Sequence, residues 1–195
     1  GNLCAQPKNK GPIDISKVLD EMKNRGIQYP CVIRFQDIIK DQVQKLNETF
    51  IETIQRANFN GSYSGVYPIK VNQLREVVEE VVEAGSNFSY GLECGSKAEL
   101  LAVLAYNTNK ASLTILNGYK DEEYIKLAIL GQKINRNTVI VIEKLSEIQT
   151  ILKVAKQLDI FPTIGVRAKL NSKSSGKWSK SSGENAKFGL SVSEI

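Results

Sequence analysis

Two hydrophobic periods alternate along this chain. From residue 63 onward, short and nearly continuous β-branched runs alternate with longer stretches whose apolar positions recur every three or four residues. "YSGVYPIKVN" is followed by "LREVVEEVVEAG", "NFSYGLE" by "KAELLAVLAYN", "SLTILNG" by "DEEYIKLAILGQKI" and "TVIVIE" by "LSEIQTILKVAKQL". "TIGVRAKL" is a fifth short run. The short runs predict strands buried on both faces of a parallel sheet, and the longer ones predict the helices that connect them. Upstream, residues 1–12 are polar and irregular. "DISKVLDEMKNRG" predicts a short amphipathic helix with Asp14 as its N-cap and Gly26 just past its end. "CVIRF" predicts a short strand, and "QDIIKDQVQKLNETFIETIQRAN" a long helix.

The strand spacing is regular. The polar or special residues that end the strands are Lys70, Glu93, Gly118, Glu143 and Arg167, at intervals of 23, 25, 25 and 24. Such a β-α period fits a doubly wound sheet or a (β/α)8 barrel. No GxGxxG follows the first strand and no GxxxxGK[ST] is present, which excludes the dinucleotide-binding and P-loop readings. The barrel is favoured. Five strands cannot close a barrel of about 250 residues, so a fragment is expected. The start without Met and the helix-like ending "KFGLSVSEI" read the same way.

In a barrel the C-terminal strand ends converge on one mouth. Lys70, Glu93, Glu143 and Arg167 are therefore expected around one cavity; the alternative is four ordinary polar strand ends meeting water. Pro68 resists the scheme, because it removes a ladder donor. A bulge before Lys70 would accommodate it and aim the lysine inward.

Composition narrows the chemistry. Hydrophobic residues make up 42% and charged residues 24%, as in globular proteins, and no apolar run approaches the roughly 18 residues of a membrane span. Lys and Arg exceed Asp and Glu by 26 to 21, for a charge of +5 and a pI near 9.0. Outside residues 169–187 the basic residues are interleaved with acidic ones, so neither nucleic acid nor membrane is expected as a partner. There is no His and no CxxC among three cysteines. That excludes the usual zinc sites and His-dependent nucleophiles within these residues. Reduced thiols and the lack of a secretory pattern imply a cytoplasmic protein.

Lys70 is the sharpest candidate. Burial would favour its neutral amine, the nucleophile an aldehyde requires; the other reading is a lysine snorkelling from the barrel rim.

"VYPIKVNQ", "GLECGSKAELL", "ILNGYKDEEYI", "VIEKLSE", "GVRAKL" and "SGKWSKSSGENAKFGLS" together closely resemble the biosynthetic arginine decarboxylases, within the alanine-racemase-like enzymes that use pyridoxal phosphate. The resemblance covers residues 13–195. YPIKVN is shared with ornithine and diaminopimelate decarboxylases, whereas the SGKW…SSGE…KFGL run after GVRAKL is specific to the arginine branch. The resemblance implies an α/β fold, a (β/α)8 TIM barrel of the alanine-racemase/ornithine-decarboxylase type with about five of its strands here. Residues 1–50 would supply a linking helix and a strand to a C-terminal β-domain that is missing, and residues 51–195 the first part of the barrel.

It further implies that Lys70 is the Schiff-base lysine and that Arg167 lies beside the cofactor ring, donating to one of its oxygens. Glu93 would orient Lys70 or Arg167, or merely form a structural ion pair with Arg167. Glu99 would extend that network or, the favoured reading, merely face solvent; Cys94 is read as a small buried residue, and Lys187 as near a subunit interface or in a surface salt bridge. A stacking histidine, a phosphate cradle and a carboxylate for the ring nitrogen would follow Ile195. The implied reaction converts L-arginine to agmatine and CO2 on a polyamine route. Pyridoxal phosphate is the cofactor, Mg2+ a candidate second one, and the assembly a homo-oligomer, a dimer or tetramer of dimers with shared active sites. Alternatives are a decarboxylase of another basic amino acid, of ornithine or diaminopimelate type, or a catalytically silent regulatory homologue. Residues 172–186, rich in Ser and Gly with Trp178 as anchor, are expected to form a mobile loop over the mouth.

Overall fold

The computed structural model describes residues 1–8, 10–169, 186 and 188–195. The expected loop at 172–186 and Lys187 lie outside the described residues, Ala186 apart. The chain divides into two compact units, Gly1–Tyr63 with Leu74–Gly85, and Ser64–Gln73 with Ser86–Ile195.

In the first unit β1 (Cys4–Ala5) pairs antiparallel with β2 (Ile13–Asp14), in a stretch that reads as irregular from its composition. Helix α1 (Ile15–Asn24) starts where the Asp14 carboxylate accepts the Ser16 N–H at 2.9 Å, and Gly26 follows its end at φ +70°. Helix α2 (Gln36–Arg56) packs on α3 (Arg75–Gly85), which buries Val77, Val78, Val81 and Ala84. Residues 31–35 form no ladder with any described strand, although Phe35 has an extended backbone. A short apolar run becomes a strand only where a neighbour supplies its hydrogen bonds.

The second unit is a parallel sheet of β3 (Val66–Pro68), β4 (Gly91–Cys94), β5 (Leu113–Leu116), β6 (Asn137–Ile142) and β7 (Thr163–Val166), lying side by side in chain order. A doubly wound sheet reverses its order at a switch point; this one does not, and it is the arc of a barrel. Helices α4 (Lys97–Tyr106), α5 (Glu122–Lys133) and α6 (Ser146–Leu158) connect the strands. Ser96 and Asp121 cap α4 and α5.

One sheet face is sealed. Leu92, Cys94, Leu116, Ile140 and Ile142 point to it and are at most 3% exposed, as are Leu100, Val103, Ile125, Ile129 and Val154 of the helices. Each fully buried side chain of this kind is worth about 1.5–3 kcal/mol, so this face holds the unit together. The other face is more open. Val139 and Val141 are only partly buried. Ile164 and Val166 of β7 lie in register with Ile140 and Ile142, on the helix side, and are 52% and 50% exposed at the open edge of the described sheet. Only β4 is buried along its whole length, so the expectation of strands buried on both faces holds for that strand alone. The unit covers one face of its sheet with helices and turns the other to a cavity. Pro68 needs no bulge either. It ends β3, an edge strand where a missing donor is tolerated, and a 3-10 turn over Ile69–Val71 then carries Lys70.

Candidate active site

Parallel strands in one sheet end on the same side, and here their C-terminal ends surround a cavity of about 740 Å3. Lys70, Glu93, Asn117, Gly118, Glu143 and Arg167 line it, together with Phe188. The four charged residues expected to converge do so.

The acids are held by residues at the ends of adjacent strands. Glu93, at the end of β4, accepts a hydrogen bond on Oε1 from Asn117 Nδ2 at 2.9 Å, just past β5. Glu143, just past β6, accepts on Oε1 from the Gly118 backbone N–H at 2.8 Å and from Arg167 Nη1 at 3.2 Å. Arg167 therefore pairs with Glu143 and not with Glu93: β6 adjoins β7, while β4 lies two strands further away. The Oε2 atoms of Glu93 and Glu143 are buried with no donor among the described residues.

Arg167 is placed by backbone as well as by charge. Its N–H donates to Ile142 O at 3.0 Å, and its carbonyl accepts from Leu190 N–H at 2.7 Å, which brings the segment before Leu190 back to the cavity. The guanidinium carbon lies 5.3 Å from the centroid of the Phe188 ring, whose own neighbour is Tyr119 at 5.1 Å. Lys144 Nζ sits 4.0 Å above Tyr119. Stacking on an aromatic face leaves the edge donors of a guanidinium free for a planar acceptor.

Lys70 is exposed toward the cavity and has no hydrogen bond or ion pair among the described residues. Of its two readings, the buried amine and the lysine reaching from the rim, the described residues match the second. Glu99 does not simply face solvent. Its Oε2 accepts the Gly95 N–H at 2.7 Å and its Oε1 accepts Gln73 Nε2 at 2.9 Å, tying the segment after Lys70 to the β4–α4 loop. Cys94 is fully buried with its sulfur 3.4 Å from the Tyr124 hydroxyl. Burial pushes its thiol up to about 12 and raises the Tyr124 hydroxyl well above its usual range. Both are inert at neutral pH.

Sequence reasoning passes over four residues here, Asn117, Lys120, Glu147 and Phe188, and marks Gly118 only as a strand end. Lys120 has a fully buried side chain whose Nζ donates to Gly118 O at 2.6 Å and to Val141 O, 3.7 Å from Glu147 Oε2. Burial pushes its ammonium below the usual lysine range, opposed by the charges of Glu147 and Glu143. In "NGYKDEE" it reads as one more solvated charge at a helix start. The available signal for Glu147 is its position four residues after Glu143, in "EKLSE". Among the described residues no group of three or more His, Cys, Asp or Glu could hold a metal ion, and no helix is long and apolar enough to cross a membrane.

Residues 40–195 match the family described as pyridoxal-dependent decarboxylase, pyridoxal binding domain. The whole chain is 47% identical over 197 aligned residues to a biosynthetic arginine decarboxylase of Prochlorococcus marinus subsp. pastoris, covering 30% of it. It is 46% identical to one from Gloeobacter violaceus, covering 31%. The chain thus spans under a third of the length of these relatives. The crystal structure of the biosynthetic arginine decarboxylase of Campylobacter jejuni superposes on the full chain with a TM-score of 0.85 at 32% identity, over 30% of that protein. A diaminopimelate decarboxylase structure from M. jannaschi, 23% identical with a TM-score of 0.57 over 79% of this chain and 34% of its own, shares the fold.

Proposed function

The chain belongs to the pyridoxal-dependent decarboxylases, and on that premise we propose that the full-length protein converts L-arginine to agmatine and CO2. One observation carries the reading: a primary amine on β3's turn and a guanidinium after β7, nearly a hundred residues apart in sequence, face one cavity beside buried carboxylates. The arginine branch is supported by full coverage of this chain at 46–47% identity.

The cavity residues fit the cofactor. An amine is available for an aldehyde, a guanidinium for an oxygen, and the two donorless oxygens of Glu93 and Glu143 could each accept from an N–H or O–H. When bound, pyridoxal phosphate supplies a carbonyl that takes an amine and a conjugated ring that accepts the electron pair left by CO2. Lys70 Nζ is the primary amine of this cavity that would hold such a carbonyl group. Its unpaired position and rotatable stem let it withdraw and return without breaking a contact. Arg167, pinned by Glu143 and stacked on Phe188, would hold an oxygen of the cofactor and so restrict how it lies in the cavity. Glu93, held by Asn117, places a carboxylate within the same cavity, where it can orient Lys70.

The product would enter polyamine synthesis in the cytoplasm, in a homo-oligomer with shared active sites. A Mg2+ requirement would be met outside the described residues. The test is incubation of the full-length protein with pyridoxal phosphate and, separately, L-arginine, L-ornithine and diaminopimelate. Release of CO2 with agmatine from arginine alone is the expected result. Turnover confined to either other amino acid would overturn the substrate assignment, and none with any would overturn the reading.

A further inference from the structure

Glu147 is a buried carboxylate with four claims on it. Its Oε1 accepts the Lys120 backbone N–H at 2.9 Å. Its Oε2 accepts the N–H groups of Glu143 at 2.8 Å and Lys144 at 3.4 Å, and lies 3.7 Å from Lys120 Nζ. The residue sits in the first turn of α6 but reaches back past its own helix to the loops after β5 and β6. Those loops hold the two ends of one contact: Glu143 carries the carboxylate, and Gly118 carries the backbone N–H that binds it. The Gly118 carbonyl is in turn held by Lys120 Nζ. A single buried ion pair therefore sets the backbone of both Glu143 and Gly118, and through Glu143 the guanidinium of Arg167.

Stability alone is a poor account of this arrangement. A buried ion pair is usually no better for folding than apolar side chains of the same volume, because desolvation offsets the attraction. Fixing a geometry is what such a pair does that apolar packing cannot.

We infer that Glu147, with Lys120, is a positioning residue that sets the Glu143–Arg167 arm, so that Arg167 presents its donors to the cofactor. The inference rests on the cofactor reading given above, and a double-mutant cycle in the full-length protein separates the two. The measured quantity is the apparent dissociation constant of pyridoxal phosphate, from quenching of protein fluorescence, for wild type, Glu147→Gln, Arg167→Ala and the double variant. Glu147→Gln should weaken the cofactor about tenfold, as expected between residues of one network, and add less than about twofold once Arg167 is gone. Rescue should follow geometry: Glu147→Asp, which keeps the charge but shortens the reach, should fall between wild type and Gln. Should Glu147→Gln not accumulate folded, Lys120→Met takes its place in the same cycle, since it leaves the backbone contacts of Glu147 intact. Equal losses in both Arg167 backgrounds would overturn the positioning role and leave the cofactor reading standing. Unchanged affinity in Arg167→Ala would remove that residue from the site and overturn the inference, whereas no saturable binding to wild type would overturn the cofactor reading itself.

Discussion

Gly118→Ala should be among the most damaging single-methyl changes in the second unit, and the cost follows from two distances and an angle. Gly118 has φ +78°, the left-handed region, and a Cβ added there would lie 2.5 Å from the Gly95 carbonyl oxygen. Gly26 supplies the control: its φ is +70°, and nothing lies within 4 Å of its Cβ position. The left-handed backbone costs an alanine about 1–2 kcal/mol at either position. Overpacking adds about 1–3 kcal/mol, and at Gly118 alone, where the obstacle is backbone. Gly95 cannot yield freely, because its N–H is held by Glu99 Oε2. The expected loss is therefore about 2–5 kcal/mol for Gly118→Ala against about 1–2 for Gly26→Ala. Pulse proteolysis of the full-length protein across a urea series reads both as shifts in the midpoint. The displaced loop should also pull the Gly118 N–H from Glu143, so cofactor affinity should fall only in the Gly118 variant. Equal midpoint shifts for the two alanines would refute the close approach of the Gly95 and Gly118 loops.

Lys70→Ala should abolish both CO2 release and the pyridoxyl mass that borohydride reduction fixes on the "VYPIKVNQ" peptide, and Lys70→Arg should not rescue it, because a guanidinium cannot give up its proton to become the nucleophile. Mass fixed on another lysine would refute the assignment. Glu143→Ala strands the Gly118 N–H and the Arg167 guanidinium, so thermal unfolding should report a loss of about 1–3 kcal/mol, and no change would mean that water replaces the carboxylate without cost. Cys94 sets a pH dependence. Its thiol titrates near 9.0 when unfolded and is pushed up to about 12 by burial in the fold. Below pH 9 both states keep the proton; above it the unfolded chain releases one that the fold retains, so this thiol lowers stability by about 1.4 kcal/mol per pH unit until it ionises in the fold. Urea midpoints at about pH 8 and about pH 10 should fall less in Cys94→Ser than in wild type, and equal falls would count against the burial.

The barrel arc was legible because its signal is long-range and regular: β-branched runs about 24 residues apart, each ending in a residue that an apolar core does not want. Lys70, Glu93, Glu143 and Arg167 follow from that repeat without any knowledge of packing. Which acid takes Arg167 depends on strand adjacency, and the consecutive sheet order hands it to Glu143. Lys120 and Glu147 were invisible for a different reason. Each sits at a helix start, where Lys and Glu are normally solvated, and only the crossing of two loops buries them together. Phe188 reaches the cavity by way of the bridge between Ala168 and Leu190, a pairing that no local pattern announces. The sequence left Lys70 between a buried amine and one reaching out from the rim; its place in a turn after an edge strand leaves it wet.

The alternation within the strands has a consequence for how this protein can change. Leu92 and Glu93, Leu116 and Asn117, and Ile142 and Glu143 are adjacent in sequence, yet the first of each pair faces the helices and the second the cavity. Core and chemistry thus share one reading frame with a period of two residues. Substitution at either member leaves the other in phase, so the apolar set and the polar set can drift independently. A single-residue insertion or deletion inside β4 or β6 cannot be so contained. It would turn a glutamate under the helices and a leucine or isoleucine into the cavity at one stroke. Length should therefore vary among homologues at the far ends of the helices, where each strand can still begin in register, while the strands themselves exchange residues but never gain or lose one.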